Sequence, residues 1–225
     1  MNRAHSSIGD HEEALMSRRV EALEKAFEAK GLVPENYFDE FHVKATQEWS
    51  PENGARVVAR CWTDTAFRER LLGDAIAAVA ELGYSMPEHQ RKLIALEDTP
   101  NVHNVIVCTL CSCTAFTLLG VAPHWYKDLE YRARIVREAR TVLREMGTDL
   151  PEQVEIRVWD TTADTRYIVI PARPAYTQGW SEAELARIVT KESMIGVSRL
   201  DGIGKAPGAD AAEVPDGRSG GRVHG

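Results

Sequence analysis

Residues 102–113 read Val-His-Asn-Val-Ile-Val-Cys-Thr-Leu-Cys-Ser-Cys, and two patterns meet inside them. In the first half Val105, Ile106 and Val107 are adjacent with no helical period, which marks a buried strand delivering Cys108 to its end. The second half fuses C-x-x-C to C-x-C, so one ion can be reached by Cys108, Cys111 and Cys113 only if the backbone wraps it as a claw. The compact stretch from Thr109 to Pro123 has too few polar breaks for a linker and is expected to be the loop that carries the cysteines.

Upstream of this stretch the chain reads as helical. Met16, Val20, Leu23 and Phe27 recur at helical spacing, with Asp10 placed to cap the start and Gly31 to end it, giving an amphipathic arm. Ser50-Pro51-Glu52 opens a helix containing Val57, Val58 and Cys61; further helices are expected from Asp64 and from Asp74 to Leu82, stopped by Gly83. Downstream, Trp125 to Met146 carries Tyr131, Ile135, Val136, Val142 and Leu143 on a stripe among arginines, with Gly147 at the stop. Glu155 to Asp160 and Arg166 to Pro171 read as two strands joined into a hairpin by residues 161–165. Ser181-Glu182-Ala183-Glu184 is a capping box for one more helix, to about Lys191. Asp201 to Gly225 holds seven glycines and no aromatic residue, the composition of a disordered tail. The expected organisation is a helical N-terminal arm over 1–83, a metal-binding α+β domain over 84–200 and a tail over 201–225.

Composition limits the function. The chain has 225 residues, 44% apolar and 27% charged, which excludes collagen, wholesale disorder and a disulfide miniprotein. A net charge of −7 disfavours nucleic acid and anionic membranes as partners. No apolar run reaches the roughly 18 residues of a membrane span, and Met1 to Asp10 has no signal-peptide core, so a cytoplasmic protein is expected. Three of the four cysteines fall within six residues, unlike a stapling framework.

Several chemistries could use that cluster. A zinc site wants four side-chain ligands, and the fourth is missing locally; His103 lies on the strand upstream, while His89 and His124 would need the fold to bring them in. Three reduced structural cysteines are a second account, and a Cys111–Cys113 disulfide would close a strained small ring. The sharper account is a trivalent metal held by three thiolates and the deprotonated amides of Ser112 and Cys113, with one open position for Lewis-acid chemistry.

The string Val107 to Cys113, preceded by Glu97-Asp98-Thr99-Pro100 and followed by Gly120, Pro123, Trp125-Tyr126-Lys127 and Tyr131-Arg132-Ala133-Arg134, resembles the α subunit of nitrile hydratase. The resemblance extends to Arg157-Val158-Trp159-Asp160, Arg166-Tyr167 and Gly179-Trp180-Ser181, over about residues 10–200. It implies a layered α/β/β/α-type domain with a cysteine-claw loop, and hydration of a nitrile to an amide at a Co(III) or Fe(III) centre. Cys108 would be the axial thiolate, Cys111 and Cys113 the in-plane sulfurs, and Ser112 and Cys113 the amide donors. Cys111 and Cys113 would be oxidised to sulfinic and sulfenic acids and would be the catalytic pair, with either the Cys113 sulfenate oxygen or a metal-bound hydroxide attacking the nitrile. A β-type subunit, one chain or split in two, would complete the pocket with arginines, and a metal-delivery protein would load the ion.

Thr109 resembles the cobalt type, although Thr114 stands where cobalt enzymes more often have tyrosine; cobalt is favoured over iron. The family's Pro-Trp-Pro segment is here Ala115-Phe116-Thr117, and its metal-facing glutamine falls near His89 and Gln90, with His89 the closer match. His89, Gln90, Thr109 and Phe116 are thus the expected substrate pocket, one suited to a bulky nitrile such as toyocamycin. The metal subunit of thiocyanate hydrolase shares the motif and is the nearest alternative; a non-catalytic zinc-binding module is the second.

Asp160, Asp164 and Arg166 read either as turn chemistry with a surface ion pair or, by the resemblance, as support for the site and the subunit contact. Tyr131, Arg132, Arg134 and Arg137 read as a solvated face or part of an interface, Cys61 as a buried apolar residue, and His124 as a packing histidine.

Overall fold

Short polar caps decide where the chain turns. The Ser50 hydroxyl accepts from the Glu52 amide with Pro51 at the first helical position, and α3 runs Pro51–Thr63. The Asp64 and Asp74 carboxylates accept from Phe67 and Ala77, starting α4 (Thr65–Gly73) and α5 (Ala75–Glu81) as expected. The computed structural model describes residues 3–201, with side chains from 14 onward. Helix α1 spans Arg3–Ala29 and ends before Gly31, at φ 63°; Asp10 therefore lies inside it rather than capping it. α2 (Tyr37–Val43) and a π turn (Lys44–Glu48) lead into α3. The expected glycine-rich tail, Asp201 apart, lies outside the described residues.

The strands form two parallel pairs. β1 (Lys92–Glu97) pairs with β4 (Thr165–Ile170), and β2 (Val102–Val107) with β3 (Glu155–Asp160). The hairpin expected between the last two strands is therefore corrected: β3 and β4 lie in different sheets, and residues 161–164 cross from one to the other. The physical reason lies in burial, since the inner strands β2 and β4 are buried along most of their length, as strands covered on both faces are. Strand β1, which sequence periodicity leaves unmarked, is the partner that draws β4 away from β3.

The helix expected over 125–146 is two helices, α7 (His124–Lys127) and α8 (Leu129–Glu145), because the Asp128 carboxylate accepts from the Tyr131 amide and starts the chain anew. A kink at Glu138 turns the stripe, so Tyr131, Ile135, Val142 and Leu143 are buried but Val136 is exposed. The Ser181/Glu184 capping box starts α9 (Glu182–Ile188), which stops short of the expected end near Lys191, and a second box, Thr190/Ser193, starts a further helix, α10 (Lys191–Ile195). A further short helix, α6 (Phe116–Leu119), sits within the loop after the cysteines.

These elements stack in four layers: α4 and α5 on β1, the β1–β4 pair against β2–β3, and α8 on β3. The core joins Val57 and Val58 of α3 with Leu71, Val79, Val105, Val107, Ile135 and Ile168. α10 reaches both β2 and β4, and its closure requires Gly196, at φ 90°, where a Cβ would collide with the Asn104 carbonyl.

Gly196→Ala should therefore cost about 3 kcal/mol or more, by clash and backbone strain together. Gly83→Ala, also at positive φ but with open space around it, should cost only about 1 kcal/mol. Denaturant unfolding of both variants measures the difference; equal losses would refute the close-approach account.

Candidate metal centre

The parallel pairing of β2 with β3 builds the site. It sets Val107 opposite Asp160, and the Thr161 amide then donates to the Val107 carbonyl, so both strands end at the same place. From there the Asp160 carboxylate accepts from the Thr109 amide at 2.9 Å and from the Thr109 hydroxyl, fixing the first residue of the loop. The far end is held by Gln90, 1% exposed, whose side chain donates to the Thr114 carbonyl and accepts from the Phe116 amide. Thr114 is buried and donates its hydroxyl to the Gly120 carbonyl.

Between these clamps the chain curls. The Cys108, Cys111 and Cys113 sulfurs all lie within 4.8 Å of one another, with Cys108–Cys111 at 3.2 Å and Cys111–Cys113 at 2.6 Å. Cys108 is buried at the strand end, Cys113 is half-buried and Cys111 is exposed. The Cys111 amide points at the Cys108 sulfur at 3.3 Å. Burial works to raise the Cys108 thiol, but the neighbouring Thr161 hydroxyl and the inward amides of Cys113 and Cys111 outweigh it and bring it to about 7. Burial and the adjacent Cys111 sulfur push Cys113 up to about 12, against the pull of Arg166.

Three sulfurs pressed this close, with amides turned inward, fit a thiolate-bound cation that would take up the charge they shed. Ordinary structural zinc fits less well, because among the described residues no histidine or carboxylate joins the group as a fourth ligand. His103 is otherwise engaged: Nδ1 lies 2.9 Å from Asp98, and Nε2 lies 2.7 Å from the Gly196 carbonyl. Cys61 is buried in α3, its thiol pushed up to about 12 by burial, in keeping with a packing role.

The remaining expected site residues separate. Arg166 is 2% exposed and donates to the Thr162 and Thr165 carbonyls, bracing the crossing between sheets; its Nε has no hydrogen-bond partner. Asp164 does not meet Arg166: it pairs with Arg91 at 3.3 Å and accepts from Thr162 within its own turn. His89 is exposed and sets its ring against Phe116, centroids 6.2 Å apart. Ser112 lies between the two outer cysteines, half-buried. Two contacts escaped the sequence reading: Thr161, buried beside Cys108, and Tyr126, whose hydroxyl reaches the Cys113 carbonyl at 3.4 Å. No sequence signal marks the first; the second stands in the Trp125-Tyr126-Lys127 segment of the resemblance, where nothing in the spacing gives it a role at the claw.

The nitrile hydratase α-chain family model matches residues 14–198. The chain belongs to that family. It is 49% identical over 183 residues to a nitrile hydratase α subunit from a Rhodococcus species, covering 81% of this chain and 92% of the relative. To the α subunit of a high-molecular-weight cobalt-containing nitrile hydratase of Rhodococcus rhodochrous it is 46% identical, over 80% of this chain and 89% of the relative. A solved double mutant of the Fe-type nitrile hydratase from Comamonas testosteroni superposes with a TM-score of 0.79 at 51% identity, covering 90% of this chain and 98% of the other. A thiocyanate hydrolase γ subunit from Thiobacillus thioparus is also matched, over 65% of its length. As a nitrile hydratase α chain, this is the metal-bearing component of an enzyme that works as a heteromer with a β subunit.

Metal uptake by the unoxidised claw should be pH-dependent. An ion bound through Cys113 would have to displace its proton, held up to about 12, so affinity should rise at least about tenfold per pH unit between about 7 and 9. Below about 7 Cys108 is protonated as well, and the dependence should steepen. Chelator competition measures it, and a flat profile would count against thiolate ligation.

Proposed function

We propose that the claw holds one trivalent ion through the sulfurs of Cys108, Cys111 and Cys113 and the amide nitrogens of Ser112 and Cys113, and that the heteromer hydrates a nitrile to its amide there. The single observation that carries this is the convergence of three sulfurs within 4.8 Å with no fourth side-chain ligand among the described residues. When bound, the ion supplies a Lewis-acid position that makes a nitrile carbon electrophilic. Cys111 and Cys113 are the catalytic pair, carried as sulfinic and sulfenic acids; Cys111 is exposed and Cys113 half-buried, so both are more open to oxidation than Cys108. Asp160 keeps Thr109, and with it Cys108, in register. Gln90 rather than His89 holds the loop's far end, which leaves His89 free to face substrate. The buried guanidinium of Arg166 lies close enough to act on Cys113, so it stabilises negative charge on that sulfur.

Cobalt(III) is the favoured ion, supported by Thr109 in the claw and by cobalt-containing relatives; iron(III) is the alternative, supported by the Fe-type structure. The substrate is a bulky nitrile, such as toyocamycin, because Phe116 stands in place of an indole and Ala115 and Thr117 in place of two rigid prolines. A β-type subunit, as one chain or two, completes the site, and a metal-delivery protein loads it. The unpaired cysteines suit a cytoplasmic setting. The second reading, a thiocyanate hydrolase metal subunit, is favoured by the thiocyanate hydrolase match and would release carbonyl sulfide from thiocyanate.

Elemental analysis and peptide mass spectrometry of the assembled heteromer should find about one cobalt or iron per chain, two added oxygens on Cys111 and one on Cys113. Zinc with three unmodified thiols would overturn the assignment. Asp160→Asn, which keeps the shape but leaves Thr109 with a weaker partner, should lower metal content or turnover roughly ten- to a hundredfold. Unchanged metal content together with unchanged nitrile turnover would remove Asp160 from the site.

A further inference from the structure

Strand β2 carries a buried histidine that the metal centre does not use. The His103 side chain is 6% exposed, and each ring nitrogen faces an oxygen: Nδ1 lies 2.9 Å from the Asp98 carboxylate, and Nε2 lies 2.7 Å from the Gly196 carbonyl. A carbonyl can only accept, so Nε2 must bring a proton. Asp98 is an acceptor as well. Its Oδ1 takes N–H bonds from the Asn104 amide at 2.8 Å and from the Asn104 side chain at 3.0 Å, and Asn104 is itself fixed by the indole N–H of Trp159. Two N–H donors on one oxygen favour the ionised carboxylate, so Nδ1 must bring a proton too. Neutral imidazole has one N–H, and only the imidazolium has two.

The far end of this pair holds a segment with few other ties. α10 is five residues long, too short to stand without tertiary contacts. Past it, side chains hold the chain at Gly196 through His103, at Val197 through the Thr148 hydroxyl, and at Leu200 through the Tyr176 hydroxyl. Hydroxyls of these kinds keep their charge near neutral pH, and an imidazole does not. A cavity of about 360 Å³ opens beside the ring, lined also by Asp98, Arg173, Arg199 and Asp201, and gives water access to the pair. The remaining charged groups on the packed elements have partners elsewhere: Glu97 on β1 pairs with Arg68, Glu155 with Arg157 on β3, Arg166 on β4 meets carbonyls, and Lys191 on α10 donates to the Val121 carbonyl. Carboxylates, guanidiniums and ammoniums, Glu192 of α10 included by its kind, keep their charge between about pH 6 and 9.

We propose that the His103–Asp98 pair is a pH-sensitive latch: with both ring nitrogens protonated it ties Gly196 to β2, and loss of one proton releases the segment that follows α10. Neither the ion nor a nitrile takes part, so the latch stands whether or not the hydratase reading does. In the opened segment the ring is a free imidazole, which loses its proton above about pH 6.5. Opening therefore gives up a proton, and each pH unit above that point favours it by up to about tenfold until the closed form loses its proton as well.

Hydrogen exchange of the metal-loaded heteromer, read by mass spectrometry on peptides covering residues 191–200, measures the opening. Loading the claw takes its sulfurs out of the titration. The Gly196 and Val197 amides, which donate to the Glu192 carbonyl, are the probes. Their protection, referred to the free-chain rate at each pH, should be level up to about pH 6 and fall roughly tenfold or more between about pH 6.5 and 8.5, while that of α3 stays constant. H103Q, whose amide can donate to Gly196 but cannot titrate, should lose the dependence. D98N, which keeps the shape and removes the anion, should lose it too and serves if H103Q does not assemble. The wild-type profile decides without either variant: a change below about threefold would overturn the proposal, as would an equal fall across α3. A dependence retained in either assembled variant would overturn it as well.

Discussion

The loop from Cys108 to Cys113 has no ladder of its own, and its shape depends on one carboxylate. Asp160 can reach Thr109 only because β2 and β3 run parallel with Val107 opposite Asp160, and both strands end there. An antiparallel partner would have placed a turn at that end. The claw is therefore a consequence of strand register: a slip by one residue would move Asp160 off Val107 and away from the start of the loop. Gln90 plays the corresponding part at the far end, reaching in from the segment that precedes β1. Loop geometry is thus set from both sheets at once.

Local chemistry in the sequence located most helix starts, since a cap needs only a few adjacent residues: Ser50, Asp64, Asp74 and Ser181 each do what their side chains suggest. Asp128 and Thr190 are caps of the same kind, hidden because apolar spacing ran on across them. Strand pairing was not legible in the same way. Residues 155–170 look like a hairpin because two strands lie close in sequence, but β4 pairs with β1, a strand more than sixty residues upstream that carries too short an apolar run to stand out. The three cysteines were legible as a unit because C-x-x-C and C-x-C constrain geometry through spacing alone. Asp160, Asp164 and Arg166 were legible as a group but not in their separate parts, which depend on the crossing between sheets.

Arg166 illustrates why. A guanidinium buried in this position is costly unless a negative group answers it. Among the described residues it makes no ion pair and meets only carbonyls, with one nitrogen unpartnered. Cys113 is the acidic group on which its charge acts. In the thiol form that sulfur holds its proton and gives Arg166 little in return; as an oxidised, ionised sulfur it would supply the missing anion. The fold thus carries, in advance, a cation placed to compensate an anionic sulfur at that position.

The compensation is incomplete on the outer side. Cys111 is exposed, and Leu110 beside it is 86% exposed, an apolar side chain at the tip of a loop that is otherwise clamped at both ends. A large apolar residue held out on a rigid loop next to an oxidisable sulfur is the surface of a component, and it accords with a family whose α chains work beside a β subunit. Cys108 and Cys113 are governed by Thr161 and Arg166 within the chain, while Cys111 faces outward. Division of the coordination sphere's surroundings between two polypeptides follows from where the loop is anchored: its anchors lie behind it, in the sheets, and its open face has only a partner to meet.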